Sequence, residues 1–152
     1  PVVVKPNSLS RGRNYYLCNS KEEVERALKN IYEKSKNYDY LALAQEYIKP
    51  TVEYRAIVFQ NELQLVYTVK KQITDEKIIG EIKEFIKTIS PVLSIDFAGL
   101  DIIVGENGNK YLLEINSEPG FANFVAKNGE GPIIEMYKNI LATSLGNIRK
   151  IC

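Results

Sequence analysis

A chain of 152 residues, 45% hydrophobic and 26% charged, has the composition of one soluble globular domain and is too short for two complete ones. Twenty basic and nineteen acidic residues leave a formal charge of +1, which argues against a nucleic-acid footprint and against an acidic tail. Histidine is absent, so the commonest general base and every Ser-His-Asp or Cys-His scheme are excluded, and chemistry must run on carboxylates, cations and metal.

Val2 to Lys5 reads as a short buried strand, Asn7 to Asn14 as a turn-prone stretch, and Tyr15 to Cys18 as a second strand. Ser20 with Glu23 makes a capping box, and Val24, Leu28 and Ile31 follow at helical spacing, which predicts a helix from Lys21 to Lys34. Leu41 to Ile48 reads as a strand, with Pro50 expected to end regular pairing because it removes a ladder donor. Tyr54 to Gln60 and Leu63 to Lys70 flank a turn at Asn61-Glu62, and Ile78, Ile79, Ile82, Phe85, Ile86 and Ile89 mark an amphipathic helix closed by Pro91. Phe97 to Val104 and Lys110 to Asn116 form another hairpin around Asn107-Gly108, followed by a turn from Ser117 to Phe121. A last helix opens at Gly131-Pro132 and stops near Gly146. Mixed strands and helices with three hairpins predict an α+β class with mainly antiparallel sheets.

Cys18 and Cys152 have no metal or redox spacing, and a reducing compartment is the simpler reading. No apolar run approaches the roughly 18 residues of a membrane span and no leader is present, so the expectation is a cytoplasmic protein without membrane or nucleic-acid partners. The chain starts without methionine in a strand-like run, as a piece of a longer protein would.

The strongest chemical signal lies between Asp101 and Asn116. A two-residue type I′ turn at Asn107-Gly108 would pair Glu106 with Asn109 and, counting back, set Asp101 opposite Glu114. Opposed carboxylates, with Cβ atoms about 4.5–5.5 Å apart, repel unless a proton or cation lies between them. Asn116 points to the same side and completes an all-oxygen set suited to Mg2+ or Mn2+. The competing reading is a wet edge of solvated polar residues. On the metal reading, Asp101→Asn should abolish magnesium-dependent nucleotide binding while changing stability within about 0.5 kcal/mol.

Two further groupings are suggestive. Lys5 precedes a loop with Ser8, Arg11, Gly12 and Arg13 that can cover phosphates, although an exposed hairpin loop is the plainer alternative. Gln45, Glu46 and Ile48 lie in an extended segment able to meet a flat base edge, Glu53 follows as a carboxylate for ribose hydroxyls, and Arg55 with the Lys70-Lys71 pair on the adjacent hairpin strand can meet phosphate, although surface cations usually serve only solubility.

Together, Val-Lys-Pro with its Ser-x-x-x-Gly loop, Gln-Glu-Tyr-Ile, Glu-Tyr-Arg, Ala-Gly-Leu-Asp-Ile-Ile and Leu-Glu-Ile-Asn-Ser-x-Pro-Gly-Phe resemble the ATP-grasp superfamily, and most closely its RimK-like carboxylate-amine ligases. The resemblance implies an ATP-grasp fold, with residues 1–48 as its central subdomain and 49–152 as its C-terminal one, enclosing a nucleotide cleft. It implies ATP and magnesium (or manganese) as cofactors and peptide or small-molecule carboxylates and amines as substrates. It further implies an N-terminal domain missing from this chain, and it is compatible with a homo-oligomer. By the same resemblance Lys5, Ser8, Gly12, Gln45, Glu46, Ile48 and Glu53 bind nucleotide, Asp101, Glu114 and Asn116 hold metal, and Arg55 and Lys71 serve catalysis. The implied reaction forms an amide or peptide bond through an acyl phosphate, releasing ADP and phosphate. An ATP-grasp small-molecule kinase and a non-catalytic nucleotide-binding module are the alternatives. The chain departs from the pattern after Lys71, where a longer basic segment is usual in RimK-like ligases.

Overall fold

The computed structural model describes residues 1–7, 15–35, 41–68 and 71–148. The chain forms two compact units, Pro1–Lys49 and Pro50–Cys152.

In the first unit, β1 (Val2–Pro6) lies between β2 (Tyr16–Cys18) and β3 (Ala42–Glu46) in an antiparallel sheet of order β2-β1-β3. Helix α1 (Lys21–Lys34) begins as its capping box dictates: the Ser20 hydroxyl accepts from the Glu23 N–H, and the Glu23 carboxylate reaches back to the Asn19 N–H at 2.6 Å. Its apolar stripe puts Ala27 and Ile31 against Val4 and Cys18, burying all four. The strand expected over Leu41–Ile48 is shorter at both ends.

The second unit carries a four-stranded antiparallel sheet of order β5-β4-β6-β7, from β4 (Pro50–Phe59), β5 (Glu62–Tyr67), β6 (Phe97–Gly105) and β7 (Lys110–Asn116). Pro50 opens β4 instead of ending a strand, because the first residue of a strand can forgo its N–H; the irregularity it causes is confined to a register shift between Pro50 and Val52. The β4–β5 turn is Gln60-Asn61, one residue earlier than expected, with positive φ at both positions. Asn61 fixes it, accepting from the Ile95 N–H through its side chain at 2.8 Å and donating its own N–H to Ile95 O at 2.9 Å.

Helix α2 (Glu76–Leu93) packs on one sheet face, where Ala56, Val58, Leu100 and Ile102 meet Ile82 and Ile86. It continues past Pro91, which forfeits only its own donor, and closes at a left-handed Ser94 whose N–H donates to Ser90 O. Asp75 caps its start, accepting from the N–H groups of Lys77 and Ile78. Asp75→Ala is expected to cost about 0.5–2 kcal/mol, visible as a lower denaturant midpoint at unchanged slope.

On the opposite face lie α3 (Ala122–Asn128) and α4 (Gly131–Ile148), whose Phe124, Met136 and Ile140 pack with Ile57, Leu65 and Tyr67. Helix α3 follows directly on the turn expected to end at Phe121, and no helix is expected there from sequence. This helix ends at Gly129, whose φ of 75° suits glycine, whereas Gly146 keeps an ordinary φ and the expected stop there is passed. No described helix is long and apolar enough to cross a membrane.

Candidate nucleotide and metal site

The antiparallel register of the second unit sets one row of side chains across four strands. Tyr67 on β5 pairs with Arg55 on β4, Arg55 with Asp101 on β6, and Asp101 with Glu114 on β7. Directly paired residues share a face, so all four project to the side away from α2. In the neighbouring row Gly99 pairs with Asn116, which places the amide on that same face beside Glu114.

The opposition of Asp101 and Glu114 is the expected one, reached by a different route. The β6–β7 loop has three residues: Gly105 N–H donates to Asn109 O, Gly108 N–H to Gly105 O, and of the loop residues only Gly108 has positive φ. This is a type I turn followed by a left-handed glycine, in place of the expected type I′ turn pairing Glu106 with Asn109. It shifts the ladder by one residue, so that Ile102 faces Leu112. A bulge between Ile102 and Asp101 shifts it back.

Arg55 and Asp101 form a two-pronged ion pair, with Nε donating to Oδ1 and Nη2 to Oδ2, the latter at 2.7 Å. Both side chains are roughly one-quarter exposed, at 27% and 28%. They line a cleft of about 270 Å3 with Glu53, Tyr54, Tyr67, Thr68, Ile102, Ile103, Leu113, Gly120, Asn123 and Phe124. The Tyr67 ring lies 4.4 Å from that of Phe124. Burial pushes the Tyr67 phenol above the usual tyrosine range, with Arg55 pulling down and Asp101 pushing up.

Gly99 is what lets this row close. A Cβ there would lie 2.8 Å from Pro119 Cβ and 3.3 Å from Arg55 Cδ, so the buried Pro119 and the arginine stem occupy the space that a side chain would take. Neither Gly99 nor Tyr67 was singled out as a site residue from sequence. The only signal was the Ala-Gly-Leu-Asp run, because close approach of a proline twenty residues downstream has no local signature.

The remaining candidates fall as follows. In the first unit Lys5 pairs with Leu43 and Gln45 with Val3, so alternation puts Lys5 and Gln45 on the sheet face away from α1, while Glu46 pairs with Val2 on the other face. Ile48 is half-buried just after β3. In the second unit Glu53 pairs with Ile103 and lines the cleft with Arg55. Lys71 is exposed beyond β5, its backbone joined to Thr68, and is not among the cleft-lining residues. Ser8 and Gly12 lie outside the described residues.

Among the described residues no three of His, Cys, Asp and Glu gather as a metal cluster. The set that fits magnesium is therefore two carboxylates and an amide oxygen, Asp101, Glu114 and Asn116, sharing one sheet face with hard oxygen donors only.

The model of the RimK-like ATP-grasp domain matches residues 1–140. The chain belongs to that family. Its ATP-grasp fold is shared with solved ligases. A D-alanine–D-alanine ligase from Bacillus anthracis, solved with ATP, superposes with a TM-score of 0.67 at 19% identity, over 100% of this chain and 55% of that one. The biotin carboxylase domain of 2-oxoglutarate carboxylase from Hydrogenobacter thermophilus, a dimer solved with MgADP, ADP and bicarbonate, gives 0.61 at 18% identity, covering 80% and 32%. The ATP-grasp ligase PsnB, solved with its precursor peptide PsnA2 and AMPPNP, gives 0.56 at 16% identity, covering 89% and 45%. This ATP-grasp chain thus spans from about a third to about half the length of those relatives. No curated protein sequence matches it.

Proposed function

We propose that this chain is the nucleotide- and metal-binding part of an ATP-dependent carboxylate-amine ligase that joins an acid to an amine, peptide or small molecule, through an acyl phosphate. The observation that carries the reading is the row Arg55, Asp101 and Glu114, with Asn116 beside it on the same face of the sheet. Opposed carboxylates flanked by a cation are costly to assemble without a ligand and suit a metal–phosphate complex. In the reaction the terminal phosphoryl group passes from ATP to a substrate carboxylate. The amine nitrogen then attacks the acyl carbon and expels phosphate, leaving an amide and ADP.

Asp101, Glu114 and Asn116 would hold Mg2+ (or Mn2+), which when bound neutralises phosphoryl charge. Arg55 uses Nε and one proton of Nη2 on Asp101, and its other N–H groups are left for phosphoryl oxygens. Glu53 accepts from ribose hydroxyls, Lys5 contributes a cation to the phosphates, and Gln45, Glu46 and Ile48 meet adenine, the last two through backbone groups. Ser8 and Gly12 are assigned to the phosphate-covering loop and Lys71 to the transferring phosphoryl group on sequence grounds. No side chain here acts as a histidine-type base, and phosphoryl transfer needs none, since positioning and charge neutralisation supply most of its catalysis.

Calorimetric titration of AMPPNP is the test, with and without magnesium, on the wild-type chain and on Glu114→Gln. Binding that needs magnesium and drops at least tenfold in the variant is expected. Binding indifferent to both would refute the metal assignment.

A further inference from the structure

One buried polar group in the second unit has no place in this scheme. Tyr67 is 8% exposed, lines the cleft beside Arg55, and is held by its ring against Phe124. Among the described residues its hydroxyl makes no hydrogen bond. Buried hydroxyls are ordinarily paired, and a tyrosine buried by more than nine-tenths usually has a partner for its O–H. Its strand partner is Arg55, so the phenol and the guanidinium border the same part of the cleft.

Two donors side by side select an acceptor that carries negative charge. We propose that Tyr67 positions the phosphoryl donor, its O–H donating to an anionic phosphoryl oxygen held at Arg55. This inference rests on the nucleotide reading above and adds a residue to it. A tyrosine phenol is protonated at neutral pH and so serves as a donor there, and burial pushes that of Tyr67 further up. The carboxylates of Glu53 and Asp101 line the same cleft and repel an anion, a repulsion that metal bound at Asp101 would relieve.

Tyr67→Phe tests the idea, because it keeps the ring on Phe124 and removes only the hydroxyl. AMPPNP and inorganic tripolyphosphate, each with magnesium, are titrated calorimetrically into the wild-type chain and the variant, and both are melted without ligand. The expected result is about tenfold weaker binding of both probes with a melting temperature equal to or above that of the wild type, since the hydroxyl removed makes no hydrogen bond among the described residues. A merely structural tyrosine would instead lower the melting temperature. Equal affinities in the two proteins, or weaker binding accompanied by lost stability, would overturn the role of Tyr67 while leaving the nucleotide reading intact. Binding of tripolyphosphate that depends on Tyr67, without binding of AMPPNP, would overturn the nucleotide reading alone. Binding of neither probe to the wild type would overturn both.

Discussion

Replacing Asp101 with asparagine is expected to weaken magnesium-dependent AMPPNP binding by at least about a hundredfold and to destabilise the chain by about 1–3 kcal/mol. The two effects have separate origins. Binding falls because a carboxylate of the proposed metal site, opposite Glu114, is lost. Stability falls because Arg55, only about one-quarter exposed, keeps its charge and loses a two-pronged partner. The sequence alone suggested a stability change within about 0.5 kcal/mol, as for an exposed strand position. The ion pair revises that figure, since removing one member of a partly buried pair leaves the other unsatisfied. Calorimetry and denaturant melts of Asp101→Asn and Glu114→Gln check it: Glu114 is exposed and has no comparable pair among the described residues, so its variant should lose binding with little loss of stability. Equal destabilisation by the two variants would contradict this division.

Gly99→Ala carries the second large effect. Most glycines inside strands gain slightly on receiving a side chain, because the unfolded chain then loses less entropy. Here the new Cβ would lie 2.8 Å from Pro119 Cβ, an atom of a buried ring tied to the backbone, and 3.3 Å from the stem of Arg55. Either the Ser117–Gly120 segment lifts or the arginine moves off Asp101. Overpacking of this kind costs about 1–3 kcal/mol, and the expectation is a destabilised chain with impaired analogue binding. Gly80, whose added Cβ would meet nothing, is the control: Gly80→Ala in α2 should stabilise by roughly 0.5–1 kcal/mol. A Gly99→Ala chain as stable as wild type would mean that the proline segment yields freely.

What the sequence determined was local. Spacing of Val24 and Ile31, the Ser20–Glu23 box and the isoleucine stripe of α2 specify helices through contacts within a few residues, and their limits are close to those read in advance. The proposed metal set was legible because Asp101, Glu114 and Asn116 are polar residues inside apolar strands joined by a short loop. Yet the counting that opposed Asp101 to Glu114 held only because two shifts cancel. The three-residue loop moves the register one way and the bulge before Asp101 moves it back. Nothing local announces that bulge, which depends on how β7 lies against the rest of the sheet.

Tertiary structure alone decided the rest. Helix α3 has no side-chain cap and only seven residues, too few to persist by propensity, and Phe124 buried against Tyr67 accounts for it. The pairing of Arg55 with Asp101 joins residues on strands separated by a hairpin and a helix. The closeness of Gly99 to Pro119 and the burial of Tyr67 likewise arise from packing between elements distant in the chain. Periodicity and capping are short-range and can be read from neighbours, whereas partners across a sheet face exist only once the strands have paired.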